Sequence, residues 1–424
     1  MDVIEIIDKK RLNQELNFEE LKYIVMNYVN GNIPDYQMSA LLMAIVLNGM
    51  TEQETIYLTD IMIESGEKID LSSLSNNVVD KHSTGGIGDK TTLVLAPLVA
   101  SCGVKVAKMS GRGLGYTGGT IDKLESINGF QTQMNFSSFL NQIETIGIAI
   151  VSQMENLVPA DKKIYALRDV TATTSSIPLI ASSIMSKKIA SGANNIVLDV
   201  KVGEGALVKT LKEAETLANL MVKIGENYNC KVVCVLTEMN RPLGRAIGNS
   251  LEVMEAINTL RGKGPKDVEE LVITLGSYMV SLAKKISLEE ARIEIQKNLE
   301  NGLGLKKFLE FVKVQGGDID TLKVAEKEFS VKSNKTGFVK SIDALKLGKL
   351  VRDIGGGRKK KEDIIDYQVG FLLSKQVGDY VLEDEELVKV FLNEKDLSIT
   401  EILDCFIIEN IVGEVPLLIK KVIE

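Results

Sequence analysis

Along the first 66 residues the apolar positions recur at helical spacing, with Leu21, Ile24, Val25 and Tyr28 on one stripe. Asn17 precedes Glu20, and Thr51 precedes Glu54, at the spacing in which each side chain bonds the other's backbone N–H, so helices are predicted to start at both places. Gly66 closes the run, and the polar stretch 67–77, EKIDLSSLSNN, reads as a linker. Beyond it the pattern changes. Short apolar runs, VVDKHS, VKVAKMS and IAIVSQ, alternate with helices predicted over 91–101, 120–127 and 136–146. Such alternation builds a mainly parallel sheet whose strand ends carry ligand loops. In the first run Val78 and Val79 read as the end of a buried strand, with the loop starting at Asp80.

Residues 159–191 return to helical texture, one helix opened by Pro159 and Asp161 and a second opened by Pro178 and ended by Gly192. The strand NIVLDVK, a glycine turn at 203–205, a helix over 208–228 and the strand KVVCVLTE follow, then helices near 250–260, 265–284, 288–301 and 304–314. From 335 onward, β-like runs such as GFVKSI, YQVGFLL and DYVLEDEELVKVF are separated by turns. The predicted class is therefore α/β in three parts. Residues 1–66 with 159–191 form a helical part, 77–157 with 192–330 a large α/β part with a mainly parallel mixed sheet, and 335–424 a small α+β part.

Composition narrows the function. A net charge of −8 argues against a nucleic-acid binder, whose surface is normally basic. Cys102, Cys230, Cys234 and Cys405 lack CxxC spacing and read as reduced core residues of a cytoplasmic protein. The N-terminal MDVIEIIDKKR is unlike a signal peptide, and no apolar run approaches the roughly 18 residues of a membrane span.

The chemistry is concentrated in two glycine loops. In 108–127, KMSGRGLGYTGGTIDKLESI, glycines stand among Ser110, Thr117 and Thr120, leaving backbone N–H groups and hydroxyls open to an anion. Upstream, DKHSTGGIGDKTT joins a strand to a helix, the usual phosphate cradle, with Lys81 as cation and Ser83, Thr84 and Thr92 as hydroxyls. His82, the only histidine in the chain, lies in this segment. Between the helical runs, Tyr165 and Arg168 share one helix face, and Ile180, Ser183 and Lys187 share another. Those faces suit a flat polar ring, and they equally suit solvent. The basic run Arg358 to Lys361 reads as a solvated loop or as part of a site mouth.

Two rival readings of the glycines are weak. Gly113, Gly115 and Gly118 match a dinucleotide fingerprint, but the acidic residue expected about 20 positions later is replaced by Ser137 and Ser138. Gly88-Asp89-Lys90-Thr91 is like the end of a nucleotide-binding P-loop, but Asp89 would repel a triphosphate.

Together, DKHSTGGIGDKTT, KMSGRGLGYTGGTIDKLESI and YALRDVTATTSSIPLIASSIMSKKIASG resemble the thymidine and pyrimidine-nucleoside phosphorylases, the bacterial pyrimidine-nucleoside enzymes most of all, and DVKVGEGA, QGGDID and GRKKKEDIID extend the resemblance along the chain. The resemblance implies reversible phosphorolysis of uridine, thymidine or deoxyuridine to base and pentose 1-phosphate, with phosphate as co-substrate and no organic cofactor. It implies that Lys81, His82, Ser83, Thr92, Lys108, Met109, Ser110 and Thr120 surround phosphate. Arg168, Ser183 and Lys187 would contact the base, with Tyr165, Ile180 and Leu114 around it and His82 at the 2-carbonyl. His82, Arg168 and Lys187 are thereby the expected catalytic donors. A homodimer joined through helical parts and a closing cleft are implied as well. Lys108 stands where thymidine-specific members have methionine, so uridine and thymidine are both expected as substrates. The family's histidine and phenylalanine are Tyr116 and Leu207 here. The potassium positions fall on Gly88, Lys90, Leu243, Ala246 and Glu255, where Lys90 replaces threonine; either the ion is kept, or the Lys90 ammonium takes its place beside Glu255. The nearest alternatives are a thymidine-specific phosphorylase and an anthranilate-phosphoribosyltransferase-like enzyme using magnesium-bound pyrophosphate.

Overall fold

The computed structural model describes residues 1–424 except Ser75, Asn76, Leu114, Gly115, Thr117, Glu155 and Lys361. Its first four helices are α1 (Val3–Arg11), α2 (Phe18–Val29), α3 (Asp35–Asn48) and α4 (Glu52–Glu64). Both predicted capping boxes form, at Asn17 with Glu20 and at Thr51 with Glu54. Glu54 does more than cap. Its carboxylate also accepts from Lys10 Nζ at 2.8 Å and from the Leu16 N–H at 2.9 Å, so one buried carboxylate ties α1, the α1–α2 turn and α4 together.

Five parallel strands follow: β1 (Val78–Ser83), β2 (Lys105–Ser110), β3 (Ile148–Ser152), β4 (Asn195–Val202) and β5 (Lys231–Glu238), in the spatial order β5-β4-β1-β2-β3. Strand β1 continues past Val79 to Ser83, pairing with β4 from Asp80 to Ser83, so the expected loop starts four residues later than the polarity of the segment suggests. Those polar side chains stay in a strand because buried opposite charges meet them. Helix α5 (Thr91–Ser101) follows β1, and α6 (Thr120–Glu125) and α7 (Phe136–Ile146) lie between β2 and β3. Helices α8 (Pro159–Val170) and α9 (Ile177–Ala190) return to pack on α2, α3 and α4.

The helical part is not walled off. Its core runs on through Val78, Ala107, Met109, Phe139 and Val151, apolar residues of β1, β2, α7 and β3. The stretch read as a linker is likewise tied in, with Leu71 and Leu74 buried and the Ile69 N–H donating to Ala190 O. The C-terminal part corrects the expected boundary at its far end. Strand Ile419–Ile423 leaves it to pair antiparallel with β5, completing the six-stranded sheet. In the opposite sense, Ala246–Ile247 pairs with Gly370–Leu373 of the C-terminal sheet. Among the described residues no single helix is long and apolar enough to cross a membrane, and all four cysteines are buried and free.

Removing one partner of a buried ion pair strands the other charge. Glu54→Gln is therefore expected to lower stability by about 3–5 kcal/mol, read by denaturant unfolding. A loss under about 1 kcal/mol, the usual worth of an exposed pair, would contradict this role.

Candidate active site

Connections from β1 lead to β2 and β3 on one side, while β4 leads to β5 on the other. The crevice beyond the C-terminal ends of β1 and β4 is thus where an open α/β sheet binds ligands. A cavity of about 560 Å³ opens there, and both glycine loops reach it. His82, Ser83 and Thr92 come from the first loop and its flanks; Lys108, Met109, Ser110 and Thr120 come from the second. Across from them stand Tyr165 of α8 and Lys187 of α9.

Beneath the first wall lies a buried lattice of charge. Asp80 Oδ2 accepts from Lys188 Nζ at 2.6 Å and Asp80 Oδ1 lies 3.8 Å from Lys108 Nζ, which also donates to Lys81 O at 2.5 Å. Asp199 Oδ2 lies 2.8 Å from Lys201 Nζ and 3.7 Å from Lys81 Nζ. Lys81 Nζ is buried with no hydrogen-bond partner among the described residues. Asp89 in the cavity wall is pushed up by burial, but Lys81, Lys201 and Lys123 outweigh this and hold its carboxyl well below the usual range. Lysines 81, 108, 188 and 201 thus crowd around Asp80, Asp89 and Asp199, with Asp267 also acting on Lys201. Lys108 registers the crowding: burial first, then Lys188 and Lys81, push its pKa down to about 7 against the pull of Asp80. His82 is lowered well below its ordinary value, by burial and then by Lys188, Lys108, Lys187 and Lys81, so its imidazole is neutral at pH 7.

The second glycine loop is held from several sides. Gly113 N–H donates to Asp122 Oδ2 at 2.6 Å, and Arg358 Nη1 donates to Asp122 Oδ1 at 2.7 Å, which brings the C-terminal part to the cavity mouth. Gly119 admits no side chain, since a Cβ there would stand 2.1 Å from the Gly113 nitrogen. Lys123 Nζ donates to Asp89 O at 2.7 Å and pairs with Glu252 at 2.8 Å, locking one loop to the other.

On the helical wall, Lys187 Nζ donates to Asp161 Oδ2 at 2.6 Å and to Ser183 Oγ at 2.9 Å. Ser183 therefore acts on the cavity through Lys187 and does not line it. Arg168 stands behind the cavity wall and does not line it. The residue is 1% exposed, and its guanidinium donates to Thr173 O and Thr174 O in the α8–α9 turn and to Leu179 O in the first turn of α9. It reaches the cavity only indirectly, 5.8 Å from the Tyr165 ring centre, a distance Lys187 Nζ shares. Ile180 is buried in the core between α9 and the sheet, and Leu207 packs against that same core. Tyr116 packs against the C-terminal core instead of the cavity. Leu114 lies outside the described residues. The sequence reading gave Asp80, Asp161, Lys188, Asp199 and Lys201 no role in the site. The available signal was charge inside apolar strand and helix runs, as in VVDKHS and NIVLDVK.

The five expected potassium positions do come together, but the Lys90 ammonium stands among their oxygens, 2.8 Å from Leu243 O, 2.9 Å from Ala246 O and 2.6 Å from Glu255 Oε2. A second cation in the same place would meet a full charge at contact distance, so these residues do not fit the ion.

Comparison with known proteins extends the picture. Models described as the helical bundle domain and the a/b domain of a glycosyl transferase family match residues 4–66 and 75–305, and a pyrimidine nucleoside phosphorylase C-terminal domain matches 338–406. A pyrimidine-nucleoside phosphorylase of Staphylococcus haemolyticus is 50% identical over 431 residues, and one of Staphylococcus aureus is 51% identical over 433, each alignment covering 100% of both chains. The chain belongs to the pyrimidine-nucleoside phosphorylase family. An anthranilate phosphoribosyltransferase from Thermus thermophilus shares the fold, with a TM-score of 0.60, 18% identity, and coverage of 73% of this chain and 99% of its own.

In this family member an anion entering the lysine-lined wall favours the charged form of Lys108 and raises its pKa from about 7. Anion affinity is therefore expected to fall as pH rises from about 7 towards the ordinary lysine range of about 10, and binding near pH 8 to take up a fraction of a proton. Sulfate is the clean probe because it does not titrate there. Calorimetry in buffers of different ionisation enthalpy should detect the uptake and lose it in Lys108→Met; unchanged uptake in the variant would contradict the assignment.

Proposed function

We propose that this chain catalyses reversible phosphorolysis of pyrimidine nucleosides, giving free base and pentose 1-phosphate. The observation that carries the reading is one cavity with a cationic, hydroxyl-bearing wall on the α/β side and a lysine–tyrosine wall on the helical side. Phosphate fits the first wall, among Ser83, Thr92, Ser110 and Thr120, with Lys81, whose ammonium makes no hydrogen bond among the described residues, behind them and Lys108 at the floor. The base fits the second, lying against the Tyr165 ring with a carbonyl towards Lys187.

A phosphate oxygen forms a bond to the sugar C1′ as the C1′–N1 bond breaks, and the bonding pair leaves with the pyrimidine. The proton of hydrogenphosphate ends on the base nitrogen. Negative charge grows on the base carbonyls along this path, so a fixed cation there stabilises the transition state more than the substrate. Lys187 has that role, held in place by Asp161. Neutral His82 supplies an N–H to the 2-carbonyl and is no proton donor at pH 7. Arg168 is a positioning residue, fixing the turn from which Lys187 and Tyr165 project. Holding the two substrates on separate walls makes approach of the walls part of the chemistry. Lys108 supports acceptance of both uridine and thymidine. Pairing of two copies through the helical part is supported by exposed Tyr36, Met43 and Leu47 on one face of α3.

Base release from uridine and thymidine is expected to require phosphate, with arsenate able to replace it. Lys187→Ala should lower kcat by roughly 10²- to 10³-fold, with little change in the KM for phosphate. Release that ignores phosphate, or that needs magnesium pyrophosphate instead, would overturn the reading in favour of the transferase with which the fold is shared.

A further inference from the structure

Lys90 directly follows the first glycine loop, at the start of α5, yet its side chain runs away from the cavity and is fully buried. An ammonium has three N–H donors and no acceptor, and Leu243 O, Ala246 O and Glu255 Oε2 use all three. Two main-chain carbonyls and one carboxylate aimed at a point replace the hydration shell of a single monovalent cation. The cage is built closely around its occupant. Glu255 is held by the N–H groups of Arg245 and Ala246, each at 3.1 Å. At Gly244, with φ at +70°, a Cβ would come within 2.3 Å of Glu255 Oε2 and 2.9 Å of Lys90 Nζ. Gly88, with φ at +74°, brings the phosphate loop so near that a Cβ would stand 2.6 Å from Leu243 O.

We propose that Lys90 is a tethered monovalent cation, which lets this enzyme dispense with a free potassium ion and makes the phosphate loop's position depend on an internal charge. The cage joins the loop end at Gly88–Lys90 to a region more than 150 residues away, the turn 243–246 with Glu255. Because Ala246–Ile247 pairs with Gly370–Leu373, it also fixes the loop against the C-terminal sheet. Lys90 touches no reacting atom and is a positioning residue, so its loss acts on the KM for phosphate more than on kcat.

The wild-type protein is expected to show the same melting temperature and the same KM for phosphate in potassium, sodium or tetramethylammonium chloride at equal ionic strength. Lys90→Ala in tetramethylammonium should melt lower and have a phosphate KM raised on the order of 10- to 100-fold, the usual effect of removing a supporting contact. Potassium or ammonium ions should restore both, because the cage then holds a free cation. Lys90→Met, which fills the space without charge, should show the same losses with no rescue. Only the kinetic readout rests on the phosphorolysis proposed above. Absence of base release by the wild type in every salt would overturn that function and leave the thermal comparison intact. A wild-type melting temperature raised by potassium over tetramethylammonium would overturn the tethered cation even if Lys90→Ala does not fold. So would a Lys90→Ala protein that loses nothing, or one that no ion restores.

Discussion

Charge buried within two adjacent parallel strands is the constraint on which the rest of this molecule depends. Asp80 on β1 and Asp199 on β4 are fully buried, and each is tolerable only because lysines stand against it. With Lys81 and Lys108 added, lysines gather closely around these aspartates, and burial first, then Lys188 and Lys81, push the pKa of Lys108 down against the pull of Asp80. On the proposed function, an anion entering there would ease that repulsion, which is a physical reason for phosphate affinity that does not depend on any single hydrogen bond.

Around this lattice the loops are fastened by long basic side chains that reach oxygen atoms elsewhere in the chain. Lys123 links the two glycine loops through Asp89 O and Glu252, Arg358 brings the C-terminal part onto Asp122, and Lys90 ties the first loop to the 243–246 turn. Glycine supplies close approach and cations supply the clamps. A wall prepared in this way loses little order when it binds, and preorganised donors are what stabilise charge developing in a transition state.

Much of this was legible in the residues, for identifiable reasons. Reciprocal capping pairs such as Asn17 with Glu20 are local, and so they formed as read. Convergence of the two glycine loops followed from both lying after parallel strands. Where the structure departs from the expected placement of polar residues, these were assigned to surfaces or loops. Asp80 to Ser83 are strand because β4 supplies partners, and Arg168 is interior because a turn supplies carbonyls. Neither partner is near in sequence in the first case, and neither could be chosen from spacing in the second. The return of Ile419–Ile423 to the central sheet was likewise invisible, since a short half-exposed strand carries no mark of the distant edge it joins.

On the proposed function, the buried lysine cluster is kept for an anion at a cost to the empty protein. Thermal unfolding of Lys81→Met, with and without phosphate, tests it most directly. Removal of this buried ammonium, which makes no hydrogen bond among the described residues and shares Asp199 with Lys201, should leave the anion-free protein at least as stable as wild type, and should abolish most of the rise in melting temperature that phosphate gives the wild type. A variant that melts well below wild type without phosphate, and still gains the full increment when phosphate is added, would contradict the account.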